Sequence, residues 1–138
     1  MKKTTRILAF TLLTLFLISL IVPVASARGS IYISNYSAGM TAGSNGNVTI
    51  SYHITGMGTM DEIGSTVIVI FENGVQIKTY LHTNTSGMMG YNKAIHGGTI
   101  TYAGTIGKTY NAGVVYMAGK NGGWDSRTLV SNTVTAKR

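Results

Sequence analysis

Apolar and polar residues alternate with a period of two through most of this chain, and short Asn-Gly breaks punctuate the alternation. A strand sends successive side chains to opposite faces, so this period fits β-structure and excludes amphipathic helices as the main element. Val48, Ile50, Tyr52 and Ile54 mark an inward face, with Thr49, Ser51 and His53 outward. Val75, Ile77, Thr79 and Leu81 alternate against Gln76, Lys78, Tyr80 and His82, with the first set expected inside. Thr66 to Phe71 is nearly continuous and β-branched, as a strand buried on both faces would be. Tyr110, Ala112, Val114, Tyr116 and Ala118 define what reads as the longest strand. Ile31 to Ala38, Thr99 to Ala103 and Thr128 to Ala136 complete the set. Asn45-Gly46, Asn73-Gly74 and Lys120-Asn121-Gly122-Gly123 supply turns, because Asn and Gly tolerate the positive φ that tight hairpins need.

About seven strands joined by short turns predict an all-β antiparallel sandwich, immunoglobulin-like or fibronectin III-like. The only proline, Pro23, precedes all 18 glycines, which suits a chain of ladders and turns. There is no cysteine, so the apolar core must hold the fold without disulfides. Tyr110, three residues after Gly107, opens the penultimate strand. In such sandwiches a tyrosine at this point bonds back to the preceding corner; the proline usual in the fibronectin pattern is missing, and a plain core tyrosine is the alternative.

The first 27 residues read as a secretory signal. Lys2, Lys3 and Arg6 precede an apolar run from Ile7 to Val22, Pro23 ends it, and Ala25-Ser26-Ala27 is a small-residue cleavage site before Arg28. A retained anchor is the competing reading, which the proline and the cleavage site disfavour. The expected organisation is a signal peptide over 1–27 and one β-domain over 28–138, secreted and with no membrane span after cleavage.

Lys2, Lys3 and Arg6 account for three of the eleven basic residues, so the mature part keeps eight against four acidic ones. The eight are scattered, forming no stripe that would track a phosphate backbone, and nucleic acid is not an expected partner. Mild positive charge suits solubility and contact with an anionic cell wall.

No residue set names a reaction. Asp61 and Glu62 hold half of the acidic residues, but Thr59 and Glu62 have capping-box spacing and Gly64 can end a turn. One short helical turn is therefore expected here, with structural carboxylates. His53, His82 and His96 lack metal-ligand spacing, lie on solvent-facing strand positions or loops in this reading, and have no cysteine to join them. No G-x-S-x-G elbow occurs. No catalytic residue, metal or cofactor is assigned. Three Asn-X-Ser/Thr patterns, at Asn35, Asn47 and Asn84, are idle acceptors if the leader is bacterial.

Two segments are candidates for binding. The final hairpin carries Lys120, Arg127 and Trp124, the only tryptophan, whose ring can stack on a sugar or anchor a protein. The second choice is the connection Met88-Met89-Gly90-Tyr91-Asn92-Lys93, where paired methionines could offer an adaptable apolar surface or fold back over a sheet edge.

The order of these segments resembles an uncharacterised family of small secreted proteins of Gram-positive bacteria, a domain of unknown function. The resemblance spans about Ile31 to Ala136. It rests on Tyr32-Ile33-Ser34 with Tyr36, on Gly58-Thr59-Met60-Asp61-Glu62-Ile63-Gly64, and on Met89-Gly90-Tyr91-Asn92 with Tyr102 and Tyr110. Ala118-Gly119-Lys120-Asn121-Gly122-Gly123, followed by Asp125-Ser126-Arg127, completes it. It implies secretion and a compact β-fold, and carries over no catalytic residues. The expected function is a secreted non-catalytic module that contacts cell-wall glycan or a surface or extracellular protein. A small toxin-like or antimicrobial effector is the alternative, and an enzyme a more distant one.

Overall fold

The computed structural model describes residues 29–138; the leader and its cleavage point before Arg28 lie outside the described residues. Seven strands follow in order: β1 (Ile33–Ala42), β2 (Asn47–Glu72), β3 (Val75–Leu81), β4 (Met89–Ala103), β5 (Thr109–Lys120), β6 (Gly123–Val130) and β7 (Val134–Thr135). Every pairing is antiparallel, and the ladders join into one sheet. Among the described residues no helix is long and apolar enough to cross a membrane.

β2 organises everything else. Its 26 residues make it the longest strand, not the Tyr110 strand as the alternation suggested. Its first half lies between β1 and β4: Tyr52 faces Ala38 on one side and Gly98 on the other. Its second half takes β5 in place of β1, and β4 gives way to β3. The change from β1 to β5 occurs where Gly56–Thr59 stand against the single residue Ala94, between the pairs Thr55–Ile95 and Met60–Lys93; β4 continues past it to Gly64, and β3 takes over at Val67. Extra residues on one strand bend it and raise its local twist. Glycines at 56, 58 and 64 allow the bend without ending the ladder. An alanine Cβ at Gly64 would lie 2.2 Å from the Met88 carbonyl oxygen.

The capping-box expectation is therefore corrected. Thr59 to Gly64 are strand residues, not a helical turn. The spacing is right for a cap, but backbone pairing to both β4 and β5 wins over a single local turn.

Both halves of β2 feed one core. Val48, Ile50 and Ile54 from the first half and Ile63, Ile68 and Ile70 from the second are fully buried, together with Tyr110, Val114 and Tyr116 of β5. Each such side chain contributes roughly 1.5–3 kcal/mol of burial. Thr66 to Phe71 is buried on one face and half-covered on the other, so it is not enclosed on both sides. β3 departs further from expectation. Val75, Ile77 and Leu81 are exposed, and Tyr80, from the opposite set, packs on the core. A register shift between Ile70 and Phe71 re-aims this edge strand.

The turns match their sequence signals. Asn45-Gly46, Asn73-Gly74 and Asn121-Gly122 all have positive φ at both residues. The final stretch is split: β6 ends at Val130, and Ser131–Thr133 separate it from β7. Within that break, the Asn132 side chain accepts the Met40 amide at 2.8 Å and donates to the Met40 carbonyl at 2.9 Å. It replaces a strand partner for β1. Tyr110 bonds to its corner as anticipated: its hydroxyl accepts the Thr105 amide at 2.7 Å and donates to Glu72 at 2.5 Å.

Candidate functional site

The bend in β2 brings together two segments that are far apart in sequence. Asp61 and Glu62 follow the bend and are both exposed, while Met60 and Ile63 on either side of them are buried. Asp61 reaches the β5–β6 turn, where its carboxylate accepts the Asn121 amide at 2.8 Å. Glu62 lies directly opposite Gly119 of β5, and Gly119 directly opposite Trp124 of β6. An open cleft of about 280 Å³ results, lined by Asp61, Glu62, Met117, Gly119, Lys120 and Trp124 among others.

Each wall has a local cause. Trp124 is the first residue past the turn pair Lys120–Gly123, so the tight turn fixes its register opposite Gly119. It is 66 % exposed. Gly119, between Glu62 and Trp124, is buried, and an added Cβ there would lie 3.2 Å from the Gly123 carbonyl oxygen and 3.4 Å from the Trp124 Cβ. The Glu62 side chain has no hydrogen-bond or ion-pair partner among the described residues, nor has that of Lys120. Two carboxylates and one ammonium leave the cleft net negative while supplying acceptors and a donor.

The other two acidic residues are committed to the fold. Glu72 accepts the Tyr110 hydroxyl, and Asp125 fastens the start of the described chain to β6. Asp125 accepts the Ser30 hydroxyl at 2.6 Å and the Ile31 and Tyr32 amides at 2.8 and 3.0 Å. The Ser30 hydroxyl bond, aided by the amide bonds and by Arg127, holds its carboxyl below the ordinary carboxylate range. Behind Trp124, an alanine Cβ at Gly123 would lie 2.2 Å from the Tyr32 hydroxyl. The segment 30–32 therefore backs the hairpin that presents the tryptophan.

The candidates chosen from sequence separate into three groups. Trp124 and Lys120 line the cleft. Arg127 is half-buried opposite Tyr116 and donates to the Ser126 carbonyl at 2.8 Å, away from the cleft lining. The Met88–Lys93 connection is not a loop, because β4 begins at Met89 and pairs with Gly64. Met88 is 1 % exposed and belongs to the core, and its carbonyl accepts the Ser65 amide at 2.9 Å. It offers no binding surface, which corrects that assignment. Met89 is half-buried, whereas Tyr91 is exposed and lies directly opposite Glu62.

Sequence reasoning left Asp61, Glu62, Met117 and Gly119 out of the site. The one available signal was an acidic pair between glycines in a chain otherwise poor in acid. His53 and His82 are exposed as expected, but His96 is half-buried with Nε2 2.8 Å from the Gly87 carbonyl oxygen, bracing the start of β4. Among the described residues no group of three or more His, Asp or Glu could hold a metal ion.

The chain matches no protein-family model, and no curated protein or solved structure is significantly similar to it.

Proposed function

We propose that this is a secreted, non-catalytic binding module that engages cell-wall glycan through the cleft between the β2 bend and the β5–β6 hairpin. The observation that carries this reading is the placement of an exposed tryptophan beside two exposed carboxylates and a lysine in one open cleft. A pyranose has an apolar face and a rim of hydroxyls. Trp124 suits the face, and Glu62, Asp61 and Lys120 suit the rim. An ionic ligand would find opposing charges side by side. A protein anchor would favour a deeper, more apolar pocket.

A binding role also fits the carboxylates. Asp61 and Glu62 are adjacent in the chain and diverge, and Asp61 is occupied by the Asn121 amide. Such a pair is poorly arranged to flank a scissile bond. Secretion rests on the leader, with the mature chain starting at Arg28. We read the architecture as an immunoglobulin-like sandwich in which β2 passes between the two layers at its glycine-rich bend, a reading supported by the Tyr110 corner. The family of small Gram-positive secreted proteins fits the same picture.

Retention of the purified mature protein on isolated cell wall tests the function, with soluble products assayed in parallel. Saturable retention without turnover is expected. No retention, or release of sugar fragments, would overturn it.

A further inference from the structure

Glu62 has a second neighbour on the rung that holds Gly119 and Trp124. Tyr91 of β4 lies directly opposite it on the other side, so Tyr91, Glu62, Gly119 and Trp124 form one continuous row across four strands. Directly opposed residues of antiparallel strands project from the same face. The two ends of the row are aromatic and exposed, Tyr91 by 59 % and Trp124 by 66 %. Between them stand one unpartnered carboxylate and one glycine.

From this row we infer that the site takes a single extended oligosaccharide chain laid across the strands, with Tyr91 as a second stacking platform. The inference rests on the glycan reading above and adds the length and form of the ligand. Strands lie about 4.8 Å apart, so three steps separate the two aromatic positions by roughly 14 Å. One sugar cannot reach both rings, but a short chain can. Glu62 then faces the middle of that chain, where its carboxylate accepts hydroxyl protons, and Gly119 places no side chain between Glu62 and Trp124.

Sheet twist selects the form of the chain. Neighbouring strands rotate by roughly 20–25° each, so the strands that carry the two rings are turned by about 60–75° relative to each other. A surface twisted in this way matches a separate, twisting glycan chain and mismatches the flat face of a crystalline polysaccharide. Lys93, opposite Met60, and Lys120, beside Gly119, stand near the two ends of the row as further donors.

Soluble cell-wall glycan fragments, fractionated from disaccharide upward, provide the probe, and calorimetric titration the readout. Wild-type affinity should rise by about three- to tenfold once a fragment spans both rings, the value of one added aromatic contact. Tyr91→Ala should remove that gain and leave disaccharide affinity unchanged. Tyr91→Phe should retain the gain, since the ring carries the contact. Trp124→Ala should weaken fragments of every length. Length-independent affinity, an unaltered length profile in Tyr91→Ala, or loss of the gain in Tyr91→Phe would each overturn the inference. All three leave Trp124-dependent disaccharide binding, and with it the glycan reading, standing. Failure of the wild type to bind any fragment would overturn both.

Discussion

The Asp61 carboxylate accepts the backbone amide of Asn121, sixty residues away, at 2.8 Å. That single bond pins the bend of β2 to the turn that carries Trp124. Replacing Asp61 with alanine leaves the Asn121 amide to water at an exposed site. The expected cost is about 0.5–1.5 kcal/mol of stability. A thermal melt measures it, and binding to cell wall should fall alongside as the turn loosens. An unchanged melt together with unchanged binding would mean that the bond does not hold the turn.

Trp124→Ala separates binding from folding. The side chain is mostly exposed, so the melting temperature should stay within a few degrees of the parent. Retention on cell wall should weaken by about 1–3 kcal/mol. A melt many degrees lower would place Trp124 in the core instead.

Asp125 gives the fold an acid limit. Its carboxyl is held below the ordinary value of 3.8, chiefly by the Ser30 hydroxyl. A depressed native value means that the bond's stabilisation is complete above 3.8 and is lost as pH falls through the native value. Melts of the wild type should drop over that window. Asp125→Asn should lose this part of the pH dependence and be less stable at neutral pH. Parallel pH profiles for the two proteins would show that the Ser30–Asp125 latch contributes nothing.

The tyrosines set an alkaline limit. Burial pushes the Tyr116 hydroxyl up to about 12, and it donates to the Ser37 carbonyl. The raised native value means that its stabilisation is whole below the ordinary value of 10.0 and is lost as pH climbs toward 12. Tyr110 is shifted the same way, first by burial and then by its bond to Glu72. Tyr110→Phe would strip a partner from both Glu72 and the Thr105 amide, for a loss of about 1–3 kcal/mol at neutral pH. A loss below the error of a denaturant melt would rule out a structural corner.

Gly64 is fixed by contact with another strand. An added Cβ would meet the Met88 carbonyl oxygen and the Met89 backbone at 2.2 and 2.8 Å. Gly64→Ala should cost more than about 2 kcal/mol, because β2 and β4 must separate to admit it. A melt near the wild-type value would contradict the tight pairing at the bend.

Much of the architecture was legible because it is local. The Asn-Gly turns, the Val48–Ile54 face and the Tyr110 corner each depend on a few neighbouring residues. The site was legible only in part. Trp124 stood out as the sole tryptophan just after a turn. Its carboxylate neighbours did not, because Thr59 and Glu62 offer a plausible local cap while the actual geometry is decided by β4 and β5 pairing on either side. Tyr91 was noticed for the wrong reason, in a supposed methionine loop. Its significance comes from lying opposite Glu62, a register that no nearby residue encodes. β3 misled because alternation does not say which of two faces will find a core when an edge strand carries a bulge.

Because Trp124 is the only tryptophan, its fluorescence observes the proposed site with no other indole contributing. Titrating the mature protein with soluble cell-wall glycan fragments is the most direct test of the central claim. The free protein should emit as a solvent-exposed indole and be readily quenched by acrylamide. Binding should shift the emission to shorter wavelength, saturably, and protect it from the quencher. An emission and quenching profile that stays constant, while the same fragments bind by calorimetry, would place the glycan elsewhere and contradict the account.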